Sequence, residues 1–374
     1  MKNLFKILLT AFIVLSCNES STDPVIIEGG VPVFDIRIDQ ESYTALLSNK
    51  ISDFETNCEF SFKGVLYTAK ISASGAGSRL LDKWSYKIEL NNGQTIDGLN
   101  EFNLSAQAYD HSSMHSVLAS HIYRQLGFPV FKSQHVFVRI NGKDKGLYPM
   151  LERVEDEFFS DRNLKVTELI KVGFNSQFTF DEKYNPQFFY EKKIPKDNNF
   201  NSLFELIHAC DTVQSFLISN SLTNFINLEN YILYHAATSL INNADGFTNN
   251  FYLWKENQTN PFKVIPWDFD KAFYDSPEGR IAGYNQIAKK LFTNSYYLNE
   301  YKRILLALNE NLLTESNLFP IIDSTAAVID EAYKKDSYLG LAGKNLDYEV
   351  QKLKNYIVQR HKFIKEKTEE FYGL

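Results

Sequence analysis

The feature that most limits this chain is a change of period part-way along it. Up to about Glu152 apolar residues recur at every second position, and beyond it they recur at helical spacing. A period of two lines one face of a strand, and a period near 3.6 lines one face of a helix. Phe34-Asp35-Ile36-Arg37-Ile38 alternates, as do Val136, Val138 and Ile140. Trp84, Tyr86, Ile88 and Leu90 alternate with Lys83, Ser85, Lys87 and Glu89. Lys63-Gly64 and Asn141-Gly142 read as hairpin turns and Asn91-Asn92-Gly93 as a strand end, because such residues tolerate the left-handed backbone. One helix interrupts the strands. Asp110 is its N-cap candidate, Met114, Val117, Leu118, Ile122 and Leu126 form its apolar stripe, and Gly127 then Pro129 end it.

Past Glu152, helical spacing covers 203–217, 228–241 and the C-terminal third, which closes on Val350, Leu353, Ile357 and Ile364. Two short strands are expected at 250–254 and 262–265, and the irregular 174–201 stretch reads as a long loop or insert. The fold class expected is therefore α+β. A strand-rich lobe with one helix (31–152) precedes a helix-rich lobe (153–374), with a cleft between them as the natural ligand site. A length of 374 residues suits such a two-part unit.

The chain opens with Lys2 and Lys6, an apolar run from Ile7 to Leu15, and Val14-Leu15-Ser16-Cys17. The run is too short to span a bilayer, so 1–17 reads as a signal peptide. Its last four residues resemble a bacterial lipobox, which implies lipidation at Cys17 and anchoring in a bacterial cell envelope, outside the cytoplasm. The small, polar 18–30 segment suits a tether. A net charge of −7 with no Lys/Arg run argues against nucleic acid as a partner. Cys58 and Cys210 allow one disulfide or two buried thiols, and the sequence leaves both open. It has no Cys-x-x-Cys, no His-Glu-x-x-His and no His cluster, so a zinc site is not expected.

The densest polar signal is Asn242-Asn243-Ala244-Asp245-Gly246-Phe247-Thr248-Asn249-Asn250, followed by Val264-Ile265-Pro266-Trp267-Asp268-Phe269-Asp270. An Asp with an Asn five positions later has the spacing of a protein-kinase catalytic loop, and Asp268-Phe269 stands where such enzymes place a metal-binding Asp. A hard dication takes oxygen ligands, keeps several waters, and needs only one or two protein groups beside phosphates. Turn chemistry alone also favours Asp and Asn in loops, so the spacing is equally readable as Asx turns.

These blocks resemble the CotH family of spore-coat and secreted atypical kinases. Further blocks extend the resemblance over about Ser74 to Asp270. They are Gly75, Arg79, Lys83, Ser85 and Tyr86; Asp110-His111-Ser112-Ser113-Met114; and Asn141-Gly142 with Gly146-Leu147-Tyr148 and Glu152. The resemblance implies a kinase-like bilobal fold, ATP with Mg2+ (or Mn2+), and transfer to Ser or Thr hydroxyls of proteins. By position it makes Asp245 the catalytic Asp, Asn250 and Asp268 metal ligands, and Asp270 a supporting or second-metal carboxylate. It assigns Lys83 to phosphate and Glu152 to the inter-lobe connection beside the nucleotide. Gly75 would bring backbone N–H groups to phosphates.

The residues themselves leave alternatives. Lys83, Ser85 and Lys87 share a strand face, so either lysine can reach a cleft or lie on a solvated face. Arg79 suits phosphate or a surface acid, while Trp267 and His235 read as packed residues. The chain departs from the family pattern at His115, where Arg follows Met, and at Ser74 and Ala76, which replace Arg and Asn beside Gly75. Two rival functions stand beside the kinase reading: a non-catalytic kinase-like surface or adhesion lipoprotein, and metal-dependent hydrolysis by Asp245, Asp268 and Asp270.

Overall fold

The computed structural model describes residues 27–28, 30–75, 77–212 and 221–374. The expectations for 1–17 with Cys17, for most of 18–30, for Ala76 and for the far end of the 203–217 helix lie outside them.

Among the described residues, eight strands build the first half: β1 (Ile27–Glu28), β2 (Val31–Arg37), β3 (Glu55–Phe62), β4 (Val65–Ser74), β5 (Ser85–Leu90), β6 (Glu101–Leu104), β7 (Ser133–Ile140) and β8 (Lys143–Glu152). Their order is β1-β2-β3-β4-β5-β6-β8-β7, and β7 returns to pair in parallel with β2. Strands β2 to β8 therefore close into a barrel, which leaves no long unpaired edge. Both predicted hairpins form, with positive φ at Lys63 and Gly64 and at Asn141 and Gly142. Asn141 also accepts from the Ile38 N–H at 2.8 Å and donates to the Ile38 carbonyl at 2.9 Å, pinning the β7–β8 turn to the end of β2. Phe34 lies inside against Phe62 (ring centroids 4.3 Å apart) and Phe102 (5.6 Å).

The barrel half carries two helices where the sequence suggests one. The first, α1 (Gln40–Ser48), buries only Leu46, so it has no apolar stripe to read. The second, α2 (His115–Gln125), starts five residues after its expected cap. Asp110 is nevertheless what holds its entry. The carboxylate accepts from the Ser112 N–H at 2.9 Å and from the His115 N–H at 2.7 Å.

The second half contains α3 (Asp156–Ser160), β9 (Glu168–Val172), α4 (Pro186–Phe189), β10 (Tyr190–Ile194), α5 (Asn201–Thr212), α6 (Leu228–Leu240), β11 (Phe251–Lys255) and β12 (Lys263–Pro266). The chain ends with α7 (Gln286–Phe292), α8 (Ser295–Asn311), α9 (Glu315–Lys335) and α10 (Leu346–Lys367). A four-stranded sheet, β10-β9-β11-β12, replaces the two strands expected. The 174–201 insert is not one loop, since it supplies α4 and β10. It is organised by one buried carboxylate, which periodicity does not register. Glu182 accepts from Ser176 Oγ (2.8 Å), from the Gln177 N–H (2.6 Å) and from Tyr190. Arg360 of α10, fully buried, donates to the carbonyls of Ser239, Pro277 and Arg280 and so ties the end of α6 to the loop beyond β12. Cys58 and Cys210 are free and buried, and burial pushes each thiol up to about 12.

His235 of α6 is packed, as its sequence context suggests. Its Nε2 accepts from the Gly283 N–H at 3.3 Å, and its ring lies 4.7 Å from that of Phe247. Burial pulls its pKa down to about 3 from the ordinary 6.5. The unfolded chain thus takes up a proton that the native state refuses, so stability is lost as pH falls from 6.5 toward 3. His235→Gln should flatten that acid limb in thermal melts. An unchanged slope would show that His235 does not set it.

Candidate active site

The site is assembled by one hairpin. Helix α6 ends at Leu240, and a short 3-10 turn (Ala244–Phe247) presents Asp245. The Asp245 carbonyl accepts from the Asn249 N–H at 2.7 Å, curling the loop back on itself. Strands β11 and β12 then pair Phe251 with Pro266, so residues 250 and 267 face each other at the hairpin's open end. The Trp267 N–H donates to the Asn250 carbonyl at 3.1 Å, and Asp268 comes directly after it. Asn250 and Asp268 both hold the left-handed backbone, at φ 59° and 54°. Asn and Asp bear that conformation better than other side chains do, and such strain concentrates at functional sites.

The carboxylates crowd one another. Burial, with the nearby Asp245, raises Asp268 above the usual carboxylate range against the pull of Lys171. Burial and the adjacent Asp268 raise Asp270 further still. Lys271 pairs with Asp245 at 2.9 Å and stands 5.0 Å over the Tyr109 ring. His115 lies between Asp110 and the Asp270 backbone, with Nε2 3.4 Å from Asp110 Oδ1 and Nδ1 3.1 Å from the Asp270 carbonyl. Among the described residues no set of three or more His, Cys, Asp or Glu side chains forms a preformed metal cage. The chemistry that fits is a hard dication held by one or two carboxylates and an amide oxygen, with phosphates completing its shell.

A cleft of about 1210 Å3 lies beside the site, and Asp245, Asn250, Asp268 and Asp270 are not among its lining residues. Gly75 (φ 80°), Arg79 and Lys87 of the barrel line one side, and Lys171 and Glu191 of the β9–β10 sheet line the other. Arg153 and Glu155, just after the barrel, also line it. Lys171 connects the two parts of the site, because it lines the cleft and also acts electrostatically on Asp268.

A family model described as CotH kinase protein matches residues 71–364. The chain belongs to the CotH family. Inner spore coat protein H of Bacillus subtilis (strain 168) is 26% identical over 311 residues, covering 79% of this chain and 86% of that protein. Two solved kinases overlay on it loosely. The Golgi casein kinase with Mn/ADP bound has a TM-score of 0.34 and 12% identity, over 88% of this chain and 76% of its own. The Helicobacter pylori proinflammatory kinase CtkA has a TM-score of 0.27 and 12% identity, over 82% of this chain and 90% of its own. Overlays this loose carry no weight for the site or its chemistry.

The CotH-type pattern assigns Lys83 to the phosphates, but Lys83 is not among the residues lining the cleft. Its ammonium is buried and donates to Asp336 Oδ2 at 2.8 Å and to the Leu147 carbonyl at 2.7 Å. Strand β5 begins only at Ser85, so the alternation that put Lys83 and Lys87 on one face does not reach back to Lys83. Lys87, inside the strand, does face the cleft, where it pairs with Glu89 (3.1 Å) and Glu101 (3.3 Å). Glu152 is likewise absent from the lining. It accepts from Arg162 at 2.9 and 2.6 Å and from the Lys132 N–H at 2.7 Å, and so joins the barrel to the chain beyond it. Arg79 lines the cleft while donating to the Ile51 and Ser52 carbonyls (3.1 Å each) and pairing with Asp53 at 3.4 Å. Asp53 is the surface acid that the sequence left open as its partner. Trp267 is core, edge-on to Phe131 at 5.0 Å.

Sequence reasoning missed three residues at the site: Lys171, Lys271 and Asn175. Asn175 accepts from Thr248 Oγ1 at 2.9 Å, and its N–H donates to Asn249 Oδ1. It thereby braces the segment between Asp245 and Asn250 from the insert. No local signal marks it, because its partners lie more than 70 positions away.

Proposed function

We propose that this CotH-family chain is a metal-dependent atypical kinase of kinase-like, bilobal build, moving the γ-phosphoryl of ATP to Ser or Thr hydroxyls of extracytoplasmic proteins. The observation that carries this reading is the grouping of Asp245, Asp268 and Asp270 within electrostatic reach of one another, with Asn250 facing Trp267 at the open end of the β11–β12 hairpin. Asp268 and Asn250, with Asp270 beside them, would hold Mg2+ or Mn2+, whose bound charge neutralises the phosphates. Asp245 orients the acceptor hydroxyl and takes its proton. Gly75, at positive φ, lets backbone approach the phosphates, and Lys87 and Arg79 add positive charge on the barrel side. The lipobox-like end at Cys17 supports placement as an envelope lipoprotein. No helix among the described residues is long and apolar enough to cross a membrane.

The test is transfer of label from γ-labelled ATP to an extracytoplasmic protein extract, with Mg2+ or Mn2+. Label on Ser and Thr, lost in Asp245→Ala by roughly 100- to 10,000-fold, is the expected result. Release of free phosphate with no acceptor labelled would point to hydrolysis instead. A second reading, a non-catalytic kinase-like surface module, draws on the cleft itself, where Lys87, Arg79 and Arg153 are already paired with carboxylates. Calorimetry showing no binding at millimolar Mg-ATP would favour it.

A further inference from the structure

Most cations lining the cleft are neutralised at close range. Lys87 meets Glu89 and Glu101, Arg79 meets Asp53, and Lys193 meets Glu155 at 3.4 Å. Lys171 differs. Among the described residues its side chain makes no hydrogen bond and no ion pair, a condition it shares in the cleft only with Lys196, which is exposed at the rim. Lys171 is half-buried in the floor, on β9, opposite Glu191 of β10 and Tyr252 of β11 in one cross-strand row. Glu191 and Asp268 act on it electrostatically, but neither comes within ion-pair distance. Burial pulls its pKa down, partly offset by Glu191.

A lysine that serves only the fold looks different in this protein. Lys83 is buried rather than half-buried, and it is closed off by Asp336, the Leu147 carbonyl and the Tyr148 ring at 4.7 Å. Buried charge is costly unless it is paired. An ammonium held in a cleft floor without a partner is therefore provided for by an anion that arrives. Lys171 lines the cleft and acts electrostatically on Asp268, so a phosphate chain bound beside a dication at Asp268 would come within its reach.

We propose that Lys171 is the principal phosphate-binding cation of this cleft, donating to the polyphosphate of a nucleoside di- or triphosphate from the helical half. This rests on the nucleotide-binding reading under Proposed function. It also removes the need for Lys83 at the site, since the charge comes from the opposite wall.

The experiment is calorimetry with ATP, ADP and adenosine in Mg2+, on wild type, Lys171→Met and Lys171→Arg. Lys171→Met should weaken ATP and ADP at least tenfold and leave adenosine unchanged, while Lys171→Arg keeps most of the affinity. Wild-type ATP affinity in a folded Lys171→Met protein would overturn this assignment and leave the nucleotide reading standing. A wild type that binds none of the three ligands would sink both. Amine acylation of the wild-type protein, read by mass spectrometry, needs no variant. Mg-ATP but not adenosine should protect Lys171, and equal labelling with and without ATP would refute the proposal.

Discussion

On the proposed kinase reading, Asp268→Asn should cut metal-dependent phosphoryl transfer sharply while leaving the fold intact. Asn fits the backbone at φ 54° as well as Asp does, so the change adds no strain. What it removes is charge at the point where Asp245, Asp268 and Asp270 repel one another. Losing one preorganised electrostatic group at a reacting phosphoryl should cost roughly 100- to 1,000-fold in rate. Stability moves the other way. The folded pKa of Asp268 is raised above the ordinary 3.8 by burial, so its ionisation opposes folding. That contribution to stability is complete below pH 3.8 and is lost as pH rises through the raised folded value. At neutral pH the metal-free variant should therefore melt no lower than wild type. Millimolar Mg2+ should raise the melting temperature of wild type and not that of the variant. Unchanged transfer, or equal stabilisation by Mg2+, would remove Asp268 from the metal site.

Asp336→Ala has the largest expected effect on stability. Its carboxylate, at the end of α9, accepts four donors. They are Lys83 Nζ at 2.8 Å, the Leu147 N–H at 2.7 Å, the Tyr338 N–H at 2.6 Å and the Leu339 N–H at 3.1 Å. Two of these come from the barrel half, so one side chain ties α9 to β8 and to the entry of β5. Gly146 is part of the same fit, because a Cβ there would stand 2.1 Å from Asp336 Oδ2. Removing the carboxylate leaves the Lys83 ammonium buried without a counter-charge and should cost about 3–5 kcal/mol in denaturant unfolding. Lys83→Met should destabilise through the same pair yet bind Mg-ATP much as wild type does, whereas Lys87→Met should do the reverse. If Lys83→Met instead keeps its stability and loses nucleotide, Lys83 belongs to the phosphates after all.

The paired blocks 244–250 and 264–270 were readable because a loop and a hairpin are local. The spacing of Asp245 and Asn250 comes from the 3-10 turn before β11, and that of Asn250 and Asp268 from the β11–β12 hairpin. The turns at Lys63-Gly64 and Asn141-Gly142 were readable for the same reason, since their left-handed backbone depends on the residues within them. Helix α1 and the insert strand β10 left no such trace. Leu46 alone anchors the former, and Glu182 organises the segment leading into the latter.

Asp245, Asn250 and Asp268, the change of period and the hairpins were thus determined by sequence alone, because each depends on neighbours a few positions away. The closing of the barrel through β2 and β7, the seating of Lys83 on Asp336 and the arrival of Lys171 within electrostatic reach of Asp268 were decided only by tertiary structure. Lys83 and Asp336 are 253 positions apart. A lysine's alternation along a strand says which way it points. Whether a carboxylate waits there or an open cleft does depends on which distant segment packs against that face.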